Sequence, residues 1–271
     1  MGYASFRQNP EQPIRQRDIT ENGMSQGKAI AKVYGYMGIG LLVTGVVAFL
    51  TALLFSSQIN QLLDANGFLD VSKVDIAKGW VLAIFITWGV ALIAILILSF
   101  VIPFRAAVSG KSLWVPYILY AIFMGVILSA VLLAGIPFWM IGEAFGITCL
   151  AFVAMFLIGW FSKKDLSILG YIGMALLFGV LIAAIVGGIT FLVRGGTATQ
   201  RFWFDIAIQG AIILVIMIIT VFDTWRIKQI IANAGESKNI YLYGAYVMYT
   251  DFITLLLRIL ILLARIYGKN R

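Results

Sequence analysis

The sequence predicts an all-α integral membrane protein, built as a bundle of seven transmembrane helices. Hydrophobic residues make up 62% of the chain and charged residues 12%, and the mean hydropathy is +0.99. A soluble domain carries about 25% charged residues, so this composition indicates a protein that sits in a membrane. The apolar residues stand in long runs without charges, which is typical of spanning helices and not of a β-barrel.

Seven segments are long and apolar enough to cross a bilayer, which takes about 20 residues. They cover residues 30–55, 80–103, 113–134, 138–161, 166–193, 202–222 and 241–267. Residues 1–27 are polar and contain two of the five prolines. We therefore expect a disordered or surface-lying tail at residues 1–27, followed by a membrane domain at residues 28–271.

Alternate loops are richer in lysine and arginine, which places the N-terminus in the cytoplasm. Arg194 and Arg201 are exceptions that lie on the opposite side under this orientation. The compact, basic chain shows no eukaryotic retention signal and favours a bacterial inner membrane. Between the fourth and fifth spans, Lys163, Lys164 and Asp165 form a cytoplasmic turn, and we expect Asp165 to cap the fifth helix.

Two absences exclude whole classes of chemistry. The chain has no histidine and a single cysteine, Cys149. A histidine–metal site, a Ser–His dyad and an intramolecular disulfide are therefore impossible. Proton or metal chemistry in this protein must depend on carboxylates.

Four acidic residues lie within the predicted spans or, for Asp223, directly after the sixth: Glu143, Asp205, Asp223 and Asp251. Charged side chains inside a bilayer are costly and usually face the bundle interior or a water path. We expect Asp223 to lie about four or five residues before the sixth helix ends near Lys228, and so about 7 Å deep. Asp251 should lie about ten residues into the seventh helix, about 15 Å deep. Ordinary helix tilt would bring the two carboxylates to a common level.

Two carboxylates that meet in a low-dielectric bundle would share a proton, because both cannot be ionised cheaply. Asp223 and Asp251 are therefore candidates for a pH-sensitive latch or a weak, transient calcium site. The plainer alternatives are that Asp223 is an interfacial residue beside Arg226 and that Asp251 makes a structural hydrogen bond.

Arg258 and Arg265 follow Asp251 at seven-residue steps, which return to nearly the same helix face. One step is about 10.5 Å along the axis, too far for direct contact between Asp251 and Arg258. We therefore expect Arg258 to pair with another helix or to act on the aspartates through space. Toward the outer ends of their helices, Glu143 and Asp205 are either an acidic vestibule that attracts cations or ordinary interface residues.

Three segments resemble the Bax-inhibitor-type family (transmembrane Bax inhibitor motif proteins). They are GEAFGITCLAFVAMFLIGWFSKKDLSILG at residues 142–170, VFDTWRIKQI at 221–230 and YGAYVMYTDFITLLLRIL at 243–260. These are similar to the family's fourth and fifth helices, the end of its sixth helix and its last helix, in the same order. The similarity extends over about residues 25–268.

The resemblance implies a seven-helix bundle with the last helix at its centre. It also implies a pH-sensitive calcium leak, governed by the aspartate pair Asp223 and Asp251. In the family a basic residue near the cytoplasmic end of the second helix latches onto this pair, and Arg105 is the candidate here. The expected partners are calcium ions, protons and the lipid bilayer, with no cofactor and no nucleic acid.

The chain departs from the family pattern at three positions. Phe222 stands where Tyr is usual, Thr254 where Asn is common, and Arg258 where an apolar or neutral residue is usual. A cation at position 258 would hold the aspartates ionised or repel a passing calcium ion.

Other functions stay open, namely a proton-coupled cation exchanger and a non-conducting regulator of protein turnover or cell death. An intramembrane aspartyl protease also pairs two aspartates on consecutive helices, in YD and GxGD motifs with a later PAL. Here Asp223 follows Phe222, Asp251 follows MYT, and PAL is absent. We therefore expect no enzymatic activity.

Overall fold

The computed structural model describes residues 16–62, 78–108, 112–234 and 238–268, which form one helical bundle. Its helices are α1 (Gln16–Leu62), α2 (Lys78–Val108), α3 (Trp114–Leu133), α4 (Phe138–Phe161), α5 (Ser167–Arg194), α6 (Ala198–Ala234) and α7 (Lys238–Gly268). No strand occurs within these ranges. Each helix contains a stretch long and apolar enough to cross a membrane, which confirms the seven predicted spans.

Helix bounds agree with the sequence in the middle of the chain and differ at its ends. The fourth span has the predicted bounds. α1 begins at Gln16, so residues 16–27 of the predicted tail are helical, whereas residues 1–15 lie outside the described residues. The acidic and basic residues of the loop after α1 also lie outside them, so the predicted orientation stays a prediction.

The seventh helix is the centre of the bundle, as the resemblance implied. α7 packs against α1, α2, α3, α4 and α6. Its residues Met248, Tyr249 and Leu255 are almost completely buried. By contrast, α5 packs mainly against α6 and exposes most of its large apolar side chains to the surroundings, as a lipid-facing helix does.

Hydrogen bonds inside the bundle fix α7 to its neighbours. The Thr44 hydroxyl on α1 donates to the carbonyl of Ala121 on α3 (3.0 Å). Thr44 is also hydrogen-bonded to the hydroxyl of Tyr249 on α7, which must be the donor because the proton of Thr44 is already engaged. A bilayer offers no water to such groups, so they pair across helices.

One glycine lets two helices approach each other beside the candidate site. A Cβ atom on Gly159 of α4 would lie 2.7 Å from the carbonyl oxygen of Val221 and 2.8 Å from the Cβ of Thr224, both on α6. Small residues of this kind allow close helix contact where packing, and not the hydrophobic effect, drives association.

In the turn between α4 and α5, Asp165 interacts with the start of α5. The Asp165 carboxylate accepts hydrogen bonds from the backbone N–H of Ser167 (2.8 Å) and from its hydroxyl (2.6 Å). These hydrogen bonds lower the pKa of Asp165 below its ordinary value. The predicted interaction of Asp165 with the start of the fifth helix is confirmed, although Leu166 and not Asp165 occupies the N-cap position and makes no side-chain cap.

Candidate functional site

Polar side chains follow the contact between the antiparallel helices α6 and α7 along most of its length. Arg265 forms an ion pair with Asp205 (3.2 Å), and Arg258 donates a hydrogen bond to Gln209 (3.3 Å). Further along, Thr220 and Asp223 face Asp251, and Thr224 lies 3.8 Å from the sulfur of Met248. We call this row the polar seam; its members are Asp205, Gln209, Thr220, Asp223 and Thr224 on α6 with Met248, Asp251, Arg258 and Arg265 on α7.

The structure brings the two predicted aspartates together, but the helix that carries Asp223 is longer than predicted. The carboxylates of Asp223 and Asp251 are close enough to interact electrostatically. The prediction that α6 ends near Lys228 is wrong, because the helix continues to Ala234 through a segment without glycine or proline.

The longer helix explains why the two carboxylates meet without special tilt. Asp223 lies eleven residues before the last residue of α6, and Asp251 lies thirteen residues after the first residue of α7. At 1.5 Å per residue these distances are about 16 Å and about 20 Å from the end at which the two helices are joined. Both aspartates therefore lie well inside the spans, and Asp223 is deeper than the sequence suggested.

Two threonine hydroxyls of α6 belong to the polar seam. The Thr224 hydroxyl donates to the carbonyl of Thr220 (2.9 Å). The Thr220 hydroxyl lies 2.9 Å from the carbonyl oxygen of Ile216 and within hydrogen-bonding reach of Asp251, whose charged form it stabilises. Because a hydroxyl has one proton, Thr220 donates to only one of these two acceptors at a time.

Tyr34 of α1 closes the site from a third helix. Its hydroxyl donates to the Met248 sulfur (3.7 Å) and lies near Asp251. Oδ2 of Asp251 is buried, and no hydrogen-bond donor among the described residues reaches it. A buried acceptor without a donor is destabilising by about 1–3 kcal/mol, and native structures keep such groups mainly where a function requires them.

The arrangement has the ligand chemistry of a weak cation or proton site. In the part of the chain that the structure describes, no group of three or more His, Cys, Asp or Glu side chains could hold a metal ion. Two carboxylates with hydroxyl oxygens nearby suit a hard cation, with fewer ligands than the six to eight of a tight calcium site.

Comparison with known proteins agrees with this fold. Residues 26–268 match the family described as Inhibitor of apoptosis-promoting Bax1. The chain belongs to this family. It is 29% identical over 251 residues to Inner membrane protein YbhL of Escherichia coli (strain K12), covering 89% of this chain and 92% of that protein. It is also 26% identical over 254 residues to an uncharacterized protein of Borreliella burgdorferi, covering 91% and 94% of the two chains.

Asp223 interacts electrostatically with Arg226, which lies three residues further along α6. Arg226 lines a cavity of about 250 Å³ at the joined ends of α6 and α7, together with Pro103 and Ala106 of α2. Arg105 lies between those two α2 residues in the sequence. A latch between Arg105 and the aspartates therefore stays a prediction. The sequence analysis treated Arg226 only as a neighbour of Asp223 at the membrane interface and did not assign it to the site.

The residues predicted for the outer side contact the last turns of α7. Asp205 pairs with Arg265, and the hydroxyl of Tyr267 donates to the carboxylate of Glu143 (3.3 Å). The ring of Tyr267 also packs edge-on against Trp139. Because Arg265 balances the charge of Asp205, an acidic vestibule at this end stays a prediction.

Sequence reasoning missed three residues that complete the site: Tyr34, Thr220 and Thr224. Thr220 lies three residues before Asp223, and Thr224 lies one residue after it. These two hydroxyl side chains close to the aspartate were a signal that the sequence offered. Nothing in the sequence placed Tyr34 of the first helix beside the last one.

Proposed function

We propose that this protein is a pH-sensitive, calcium-permeable leak channel in which Asp223 and Asp251 form the switch. The observation that carries the proposal is the buried, donor-free Oδ2 of Asp251 beside a second carboxylate, within the polar seam. Membership of the Bax1 inhibitor family supports it through the resemblance described above.

The chemistry of the switch follows from the hydrogen-bond donors around it. Thr224 and Tyr34 direct their protons to a backbone carbonyl and to the Met248 sulfur, and Thr220 has one proton for both the carbonyl of Ile216 and Asp251. A pair of carboxylates in such surroundings takes up either a proton or a cation to offset its charge. Protons and calcium ions therefore compete for the same oxygens.

Two other titratable or charged groups interact with this pair and belong to its electrostatics. Arg226 on α6 interacts with Asp223, and Tyr34 on α1 interacts with Asp251.

A weak site suits a leak, because an ion that binds tightly does not leave. The cavity at the joined ends of α6 and α7 is lined by Arg226, which interacts with Asp223 of the switch. We assign that end to the cytoplasm from the loop charges, and the inner membrane as the location because the relative YbhL is named an inner membrane protein.

Calcium uptake into proteoliposomes tests the proposal. Vesicles that contain the purified protein and a trapped calcium indicator should fill faster than empty vesicles, without any need for a counter-ion. Flux that saturates and requires an opposing proton or sodium gradient would instead indicate an exchanger. No flux above empty vesicles between pH 6 and pH 8 would exclude both and favour a non-conducting regulator.

An enzymatic role for the aspartate pair is not part of the proposal. Incubation of the protein in detergent with a set of unstructured peptides, followed by mass spectrometry, should show no cleavage. Cleavage that disappears in Asp251→Asn would overturn this expectation.

A further inference from the structure

Arg258 carries its charge inside the membrane-spanning part of α7 and has a neutral partner. Its guanidinium donates to the side-chain oxygen of Gln209 (3.3 Å). Among the described residues, no carboxylate forms an ion pair with it, whereas Arg265 near the end of the same helix is paired with Asp205. An arginine within a span that lacks a counter-charge is costly and usually serves a function.

The position of Arg258 relative to the switch is fixed by helix geometry. It follows Asp251 by seven residues, about two turns or 10.5 Å, on nearly the same face. Gln209 on α6 holds it in the polar seam, on the side of the aspartates away from the joined ends of α6 and α7. An ion that passes along the seam between the switch and that far side must pass this charge.

Thr254 lies between Asp251 and Arg258 and is exposed, although its neighbours Ile253 and Leu255 are buried. Its hydroxyl donates to the carbonyl of Thr250 (2.7 Å), which leaves lone pairs for an ion or for water. Asp251, Thr254 and Arg258 thus follow one another along one face of the central helix.

We propose that Arg258, positioned by Gln209, is a fixed positive barrier that limits the passage of divalent cations along the polar seam. The barrier acts by charge, because repulsion by a fixed cation in a low-dielectric path rises with the charge of the ion. It is strongest for calcium and weaker for sodium. The part of this inference that concerns flux rests on the proposed function; the part that concerns the electric field around Thr254 does not.

Flux measurements with charge-matched variants test the first part. Arg258→Gln should raise the calcium leak about tenfold and the sodium leak less, because one fixed charge is removed from the path. Arg258→Lys keeps the charge and should leave the calcium leak within about twofold of the wild type. Arg194→Gln is the matched control, since that arginine lies exposed at the end of α5, outside the polar seam, and its loss should leave the ratio of calcium leak to sodium leak nearly unchanged. Equal leaks in Arg258→Gln and Arg258→Lys would overturn the barrier.

Cysteine modification tests the field without any need for ion conduction. Cys149 is the only cysteine, so Thr254→Cys in a Cys149→Ala background gives a single reporter thiol beside Arg258. In the reconstituted full-length protein, the reporter should react faster with a negatively charged methanethiosulfonate than with a positively charged one. Adding Arg258→Gln should remove that preference, and adding Arg258→Lys should keep it.

The two experiments separate failure of the barrier from failure of the proposed channel. If the charge preference at Thr254→Cys is present but no variant passes calcium, the field is confirmed and the channel is excluded. If the reporter reacts equally with both reagents, or with neither, Arg258 does not control a water-accessible path and the inference is wrong.

Discussion

Substitution of Asp251 by asparagine should make the protein more stable, although the residue lies at the centre of the proposed switch. In the wild type, Oδ2 of Asp251 is buried without a donor, next to the Asp223 carboxylate and to hydroxyl acceptors. Asparagine has nearly the same size, and its amide would supply two N–H donors to the surrounding oxygens. The change thus removes a buried negative charge and replaces an unpaired acceptor by a donor.

The magnitude follows from the hydrogen bond that is missing. An unsatisfied buried polar group is destabilising by about 1–3 kcal/mol, so a gain of about 2 kcal/mol in the free energy of unfolding is expected. For a chain of this size, each kcal/mol raises Tm by about 2–4 °C, which gives a rise of about 4–8 °C.

Cys149 provides the assay. It is the single cysteine and is partly buried in the bundle, so a thiol-reactive fluorophore reports its exposure as the protein unfolds in detergent. Asp205→Asn is the matched control, because Asp205 belongs to an exposed ion pair whose loss should change stability by less than about 1 kcal/mol. An Asp251→Asn protein that unfolds at or below the wild-type temperature would refute the reasoning, since the carboxylate would then have a stabilising partner.

Three further substitutions test contacts at the end of the bundle where α4 is joined to α5. Lys228→Met should lower the free energy of unfolding by about 2 kcal/mol, because the ammonium group donates to the carbonyl of Trp160 at 2.7 Å. A Tm within about 1 °C of the wild type would contradict this expectation. Gly159→Ala should destabilise by about 1–3 kcal/mol, since its Cβ would meet the Val221 carbonyl, and unchanged thermal unfolding would count against that contact. The lowered pKa of Asp165 means that its interaction with Ser167 stabilises α5 above the ordinary carboxyl range and is lost as the pH falls through the folded-state value, so Asp165→Asn should flatten the acid limb of a Tm-against-pH curve.

The seven membrane spans could be predicted from the sequence because the lipid bilayer sets the length and the hydrophobicity of a spanning helix. A bilayer core needs about 20 apolar residues in a helix, so hydropathy alone located all seven, and the interaction of Asp165 with the start of α5 followed from local chemistry. The end of α6 was harder to predict, because Arg226 and Lys228 suggested an interface while the helix continues to Ala234. The positions of charged residues indicate where a helix leaves the bilayer core. The residue at which the helix ends depends on helix propensity, and the helix can continue beyond the bilayer.

The two carboxylates of the candidate site could be predicted from the sequence, whereas the residues that contact them could not. Asp251 was conspicuous because a charge in mid-span is rare, and Asp223 followed from its position on the preceding helix. The roles of Tyr34, Thr220 and Gln209 depend on which atoms of other helices their side chains reach. Those partners are set by packing across the bundle, which has no signature in the local sequence.

The pH profile of calcium flux in proteoliposomes, for the wild type and Asp251→Asn in parallel, tests the aspartate switch most directly. We expect the wild-type flux to change between pH 6 and pH 8, as the pair exchanges its proton, and the flux through Asp251→Asn to be the same at both ends of that range. A wild-type leak whose pH dependence persists unchanged in Asp251→Asn would show that the sensor lies elsewhere and would contradict the proposed role of the pair.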